Sequence, residues 1–157
     1  MKQFFENIED VDSLLRYGLL SFHTLKNKGI LLGGLGMVIL FYEYARYAKD
    51  DLYNQFADDL LESMQDFPID LPLSLNDGLI GVACAYVFLS KHGFIQGDID
   101  DILLDVDKEI VRRSSQHLVQ VSLFDDIEFY RNYRLNYSEV YDCLLLNKIS
   151  QLFLIND

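Results

Sequence analysis

Two segments of the chain are apolar on every helical face, and each opens with two glycines three residues apart. The first starts at Gly33 and Gly36 and runs to about Ala48, and the second starts at Gly78 and Gly81 and runs to about His92. A helix without a polar face is stable in a water-soluble domain only when neighbouring elements cover all of it. We therefore expect two buried helices, with the rest of the chain arranged around them.

An amphipathic segment follows each apolar one. Apolar residues recur at helical spacing from about Leu52 to Gln65, and again from Ile99 to Ile110. Asp50 or Asp51 is placed to cap the first of these helices, and Asp98 is placed to cap the second. The whole unit recurs after about 45 residues, which predicts stacked helical hairpins with a buried helix inside and an amphipathic helix outside.

The two ends of the chain lack this repeat. Apolar residues from about Phe4 to Phe22 predict an N-terminal amphipathic helix. Beyond Arg113 the pattern decays, residues 117–124 alternate enough to allow a short strand, and Val140 to Ile155 is predicted to be a helix. The sequence thus predicts one all-α domain over 1–157. It divides into an N-terminal helix (1–28), two hairpin repeats (29–113) and a divergent helical tail (114–157).

The composition limits the partners that we expect. Half of the 157 residues are hydrophobic, and the net charge of −12 repels nucleic-acid phosphates and anionic lipids. We therefore expect a peptide or protein partner rather than nucleic acid or a membrane, although the acidity also has the simpler role of keeping the protein soluble. No apolar run reaches the length of a membrane span, and Met1 to Asn7 lacks a signal-peptide pattern. A cytoplasmic location is expected.

Candidate metal ligands are few and scattered. The cysteines are Cys84 and Cys143, and the histidines are His23, His92 and His117, none at the spacing of a zinc site. The densest acidic cluster consists of Asp98, Asp100, Asp101, Asp105 and Asp107. It could be a divalent-cation site or a catalytic carboxylate set, but the simpler interpretation is a capped helix start followed by a solvated face. We expect no bound metal or other cofactor.

The tail combines aromatic and basic residues. Tyr pairs apolar area with a polar tip and is common at interfaces, as is Arg. We predict a partner-contact surface here, although core packing is the expected role of most aromatic residues in the chain. The residues of this predicted surface are Tyr130, Arg131, Tyr133, Arg134 and Tyr137.

The paired motifs resemble those of the lanthionine synthetase C-like (LanC-like) family. The resemblance covers roughly Gly29 to Arg113 and rests on Gly33-x-x-Gly36 and Gly78-x-x-Gly81, each opening a buried helix followed by an outer helix, and on the residues from Gly36 to Tyr47. It implies a double ring of helices, of which this chain would form an early part, a partial α/α toroid. The four glycines are structural in this interpretation. A phosphate-binding loop is the alternative, but no Lys-Ser or Lys-Thr follows either motif.

In that family a zinc ion held by two Cys and one His activates a peptide thiolate for addition to a dehydroamino acid. This chain has no Trp and no adjacent Cys-His pair, so no zinc ligand is carried over. The expected function is a non-catalytic scaffold that binds a peptide or protein, is connected with peptide modification and forms homo-oligomers if a second copy covers its end hairpins. One alternative is an enzyme, either a lanthionine-type cyclase whose zinc site is supplied by another chain or a divergent active site that uses the Asp cluster, with Asp100 and Asp101 as its first test positions. A degenerate fragment without function is a third.

Overall fold

The computed structural model describes residues 11–21, 33–64, 70–116 and 121–154. These ranges contain seven α-helices and no strand, which confirms the predicted all-α class. No helix within them combines the length and apolar character needed to cross a bilayer. The helices are α1 (Val11–Ser21), α2 (Gly34–Ala48), α3 (Asp51–Ser63), α4 (Leu79–Lys91), α5 (Ile99–Gln116), α6 (Val121–Leu135) and α7 (Glu139–Leu154).

Helices α2 and α4 form the centre of the core, as their all-round apolar sequences predict. Eleven of the fifteen residues of α2 and ten of the thirteen residues of α4 are buried. The two helices pack against each other, and α1 packs against α2. The first part of the predicted N-terminal helix, before Val11, lies outside the described residues.

Helices α3 and α5 cover the two central helices from outside. Helix α3 packs against α2, and α5 packs against α4. Both predicted caps are present: the Asp50 carboxylate accepts a hydrogen bond from Leu52 N at 3.0 Å, and the Asp98 carboxylate accepts one from Asp100 N at 2.9 Å. Each outer helix buries one stripe, formed in α3 by Ala57 and Leu60. This amphipathic pattern is the one predicted.

The tail supplies further cover. Helix α6 packs against α4, and α7 contributes Leu145, Leu146 and Ile149 to the core. The possibility of a short strand over 117–124 is wrong for its last four residues, because α6 begins at Val121. Leu123 and Tyr130 both pack on the core, and their separation of two helical turns suits an α-helix rather than a strand. Residues 117–120 lie outside the described residues.

The glycine at the start of α4 is required by space rather than by backbone conformation. Gly78 has φ −122°, which any residue adopts. A Cβ atom built there would lie 2.1 Å from the Pro72 carbonyl oxygen and 2.6 Å from Ser74 N. That approach allows Pro72 O to accept a hydrogen bond from Leu79 N at 2.8 Å. Glycine at this position therefore lets the preceding loop close over the first turn of α4.

We expect Gly78→Ala to lower the free energy of unfolding by about 1 to 3 kcal/mol, because the new methyl group overlaps rigid backbone atoms. Gly34→Ala is the matched control, since the nearest atoms to a Cβ there belong to the flexible end of Met64. Urea unfolding followed by circular dichroism would measure both. Equal stability of the two variants would contradict this explanation.

Candidate functional site

An open apolar groove separates α5 from α6, and we call it the α5–α6 groove. Its volume is about 440 Å³. A second depression on the outer side of α6 shares Ile127, Arg131 and Leu135 with it. The groove is lined by Asp107, Ile110, Val111, Ser114, Ile127, Tyr130, Arg131, Arg134 and Leu135. The second depression adds Phe124, Glu128, Asn132 and Asn136.

Large apolar side chains reach solvent on both walls. Val111 on α5 is 67% exposed and Leu135 on α6 is 69% exposed, while Phe124, which is 57% exposed, lines only the second depression. The core-facing stripe of α5 ends with Ile110, so the next residue, Val111, turns outward toward the groove. Exposed apolar residues are ordinary when scattered, but a contiguous group with polar residues beside it is typical of an interaction site.

A polar network joins the two walls. The Tyr130 hydroxyl donates a hydrogen bond to Asp107 at 2.5 Å, and burial together with this bond raises the pKa of Tyr130. Arg134 pairs with Asp100 and, at 3.7 Å, with Asp107. Burial opposes the charge of Arg134, but its bond to Asp100 and the nearby Asp107 raise its pKa overall. Its guanidinium group therefore remains charged and fixed at the edge of the groove.

Two arginine groups in the groove retain unused donors. The Nε atom of Arg134 is buried and has no hydrogen-bond partner in the part of the chain that the structure describes. The exposed Arg131 side chain lines both depressions and forms no ion pair with a described residue. The groove thus presents apolar walls together with donors suited to a carboxylate.

The five residues of the predicted partner surface divide between two places. Tyr130, Arg131 and Arg134 come together in the α5–α6 groove. Tyr133 is fully buried and is therefore a core residue that no partner reaches, while Tyr137 is partly exposed beside it. Sequence reasoning did not identify the α5 wall, because no spacing signal links Val111 or Asp107 to residues on α6.

Tyr133 and Tyr137 belong to a second arrangement, the buried polar cluster, which also contains Asp142, His92 and Glu43. The Asp142 carboxylate accepts hydrogen bonds from Tyr133 at 2.5 Å and from Tyr137. His92 Nε2 lies 2.9 Å from the same carboxylate, and His92 Nδ1 lies 3.5 Å from Glu43 Oε1. The cluster therefore connects α2, the end of α4, α6 and α7.

The pKa values of the two carboxylates in this cluster are shifted in opposite directions. Burial alone would raise the pKa of Asp142, but its hydrogen bonds from His92, Tyr133 and Tyr137 lower it. Burial raises the pKa of Glu43 despite the opposing effects of His92 and Arg46. Because His92 stacks on Phe88 and both of its nitrogens face carboxylates, we interpret the cluster as a structural link between helices. His92 and Asp142 lie fifty positions apart in the sequence, so local spacing does not link them.

The acidic cluster of α5 is used within the fold. Asp98 caps the helix, Asp100 and Asp107 pair with Arg134, and Asp105 pairs with Lys108 at 3.3 Å. The described ranges contain no group of three or more His, Cys, Asp or Glu residues that could hold a metal ion.

The remaining candidate metal ligands do not come together within the described ranges. Burial raises the pKa of the Cys84 thiol, and Cys143 is exposed on α7. His23 and His117 lie outside the described residues.

We expect Asp142→Asn to lower the free energy of unfolding by about 2 to 4 kcal/mol near neutral pH, because a buried acceptor of several hydrogen bonds loses its charge. A lowered pKa means that the stabilising effect of Asp142 exists above its ordinary pKa and disappears as the pH falls. The difference from wild type should therefore shrink below about pH 4. Urea unfolding across that pH range is the measurement.

Glu43→Gln is the control, because its effect on the free energy of unfolding is expected to be small or opposite in sign to that of Asp142→Asn. Since the raised pKa of Glu43 means that its charge is disfavoured in the fold, the amide should cost little or should stabilise near neutral pH. A large loss of stability in Glu43→Gln, or a pH-independent loss in Asp142→Asn, would show that this electrostatic account is wrong.

Comparisons of the chain with protein-family models, with curated proteins and with solved structures find no match. The relation to the LanC-like family accordingly stays a prediction from the sequence motifs. What the chain can bind has to be inferred from the groove and its residues.

Proposed function

We propose that the chain is a non-catalytic helical scaffold that binds an amphipathic helix of a peptide or protein partner in the α5–α6 groove. The observation that carries this proposal is the group of exposed apolar side chains beside arginine donors without partners among the described residues. The proposal concerns binding and assigns no chemical reaction to the chain.

The walls of the groove favour a helical occupant. Both walls are helices, and a third helix laid between them would extend the same kind of layer that already covers α2 and α4. Helix-in-groove recognition uses apolar anchors one helical turn apart, which would contact Val111 and Leu135 here. Full burial of such a side chain contributes about 1.5 to 3 kcal/mol.

The donors in the groove favour an acidic residue on that helix. Arg131 lies beside the apolar walls of the groove and can donate charge-assisted hydrogen bonds to a carboxylate. The chain as a whole carries a charge of −12, so an arginine beside this apolar groove that forms no ion pair with a described residue is a local exception. A partner helix with an apolar stripe and one carboxylate matches this surface.

In this proposal the LanC-like resemblance applies to the two helical hairpins that precede α6. Hairpins α2–α3 and α4–α5 would correspond to two successive hairpins of such a ring, with α2 and α4 as inner helices. The repeated glycine motifs and the contact between α2 and α4 support that correspondence. The α5–α6 groove would then lie at the end of the partial array, where a further helix would stack.

A library of amphipathic helical peptides, displayed and selected against the purified protein, tests the proposal. We expect selected peptides to bind in a fluorescence-anisotropy assay and to lose about tenfold or more in affinity with Val111→Asp, since the charge enters the apolar wall. Val140→Asp is the matched control, because Val140 is 64% exposed on α7, away from the groove. Failure to select any peptide, or equal binding to both variants, would refute the proposal.

A further inference from the structure

Four residues form a continuous outer face of α6, which we call the α6 stripe: Phe124, Glu128, Arg131 and Leu135. Their separations of four, three and four positions place them on one side of the helix. All four side chains are exposed, and all four line the outer depression of α6. Neither Glu128 nor Arg131 forms an ion pair within the part of the chain that the structure describes.

The side chains of the α6 stripe are complementary to those of a second copy of the stripe that runs antiparallel to it. Along the helix the stripe reads apolar, acidic, basic, apolar, and an antiparallel copy presents apolar, basic, acidic, apolar. Phe124 then faces Leu135 of the second copy, and Glu128 faces its Arg131. The spacing also matches the a and d positions of a coiled coil. A parallel copy would instead oppose like charges, which is unfavourable.

We propose that the helix bound on this side of α6 is α6 of a second copy, so that the chain forms a two-fold homodimer through antiparallel α6 helices. This inference rests on the proposed function, because the α6 stripe shares Arg131 and Leu135 with the α5–α6 groove. The carboxylate expected on the bound helix is then Glu128 of the second copy. A two-fold interface of this type uses the same surface on both chains.

Charge restricts where two copies can meet. Each copy carries a charge of −12, so most of its surface repels a second copy. The α6 stripe carries one negative and one positive side chain and is therefore neutral. Its two Glu128–Arg131 pairs are the local attraction that can offset the general repulsion, and Phe124 and Leu135 add apolar burial at each end.

The size of the face sets the expected affinity. The stripe spans about 16 Å of helix, so two antiparallel α6 helices form an interface at the small end of specific complexes. We therefore expect dissociation constants in the micromolar range, on the order of 10 to 100 μM. Measurements of dimerisation must therefore reach protein concentrations a few times higher than this dissociation constant.

Sedimentation equilibrium of the full chain tests the inference through charge reversal. Compared with wild type, Glu128→Arg and Arg131→Glu should each raise the dimer dissociation constant by about tenfold or more, since each creates two like-charge contacts. The double variant E128R/R131E should recover wild-type affinity to within about threefold, because the pairs re-form with exchanged signs. An equimolar mixture of the single variants should form heterodimers. Circular dichroism confirms that each variant keeps its helix content.

Three results would overturn the homodimer: a monomer at every concentration, a dimer unaffected by either single reversal, or no recovery in the double variant. The peptide selection separates this failure from failure of the proposed function. If the wild-type chain is monomeric but binds selected peptides through Val111, only the homodimer proposal is contradicted and the proposed function stands. In the predicted case, the selected peptides should convert the dimer to monomers by competing for Arg131 and Leu135, which the groove and the α6 stripe share.

Discussion

The whole structure depends on covering two helices that have no polar face. Helices α2 and α4 are buried along most of their length, and they pack against each other. Exposure of either helix to water would cost far more than its own hydrogen bonds stabilise, so α1, α3, α5, α6 and α7 are positioned by the need to cover them. The arrangement of outer helices therefore follows from the apolar sequences at the centre, and among the described residues the outer layer is open at the α5–α6 groove.

The few polar groups within this core determine how the tail is attached. Asp142 is almost fully buried on α7, and its contacts with His92, Tyr133 and Tyr137 give it a position that apolar packing alone does not specify. Buried polar groups with several hydrogen-bond partners are sensitive to displacement, because a lost partner leaves a desolvated atom. The tail is thus held in one orientation, and the same orientation presents the outer face of α6.

Sequence reasoning predicted the centre of the fold well, because glycine pairs and all-round apolar character locate α2 and α4 within a residue or two. The outer helices followed from single apolar stripes and from the caps at Asp50 and Asp98. Helix α6 was harder to predict, because it exposes Phe124 and Leu135 and buries the hydroxyl-bearing Tyr130 and Tyr133, which weakens its helical pattern.

The same reasoning predicted only part of the candidate site. The density of tyrosine and arginine pointed to Tyr130, Arg131 and Arg134. Asp107 and Val111 are brought there by packing between distant helices, and the same kind of packing brings Asp142 to His92; local spacing does not record either.

Native-state amide hydrogen exchange of the wild-type chain, followed by mass spectrometry, would test directly whether α2 and α4 are the centre of the fold. We expect peptides from α2 and α4 to exchange last, and only through global unfolding with the free energy given by urea denaturation. Exchange of either helix as fast as α6 or α7, at a much lower opening free energy, would contradict it.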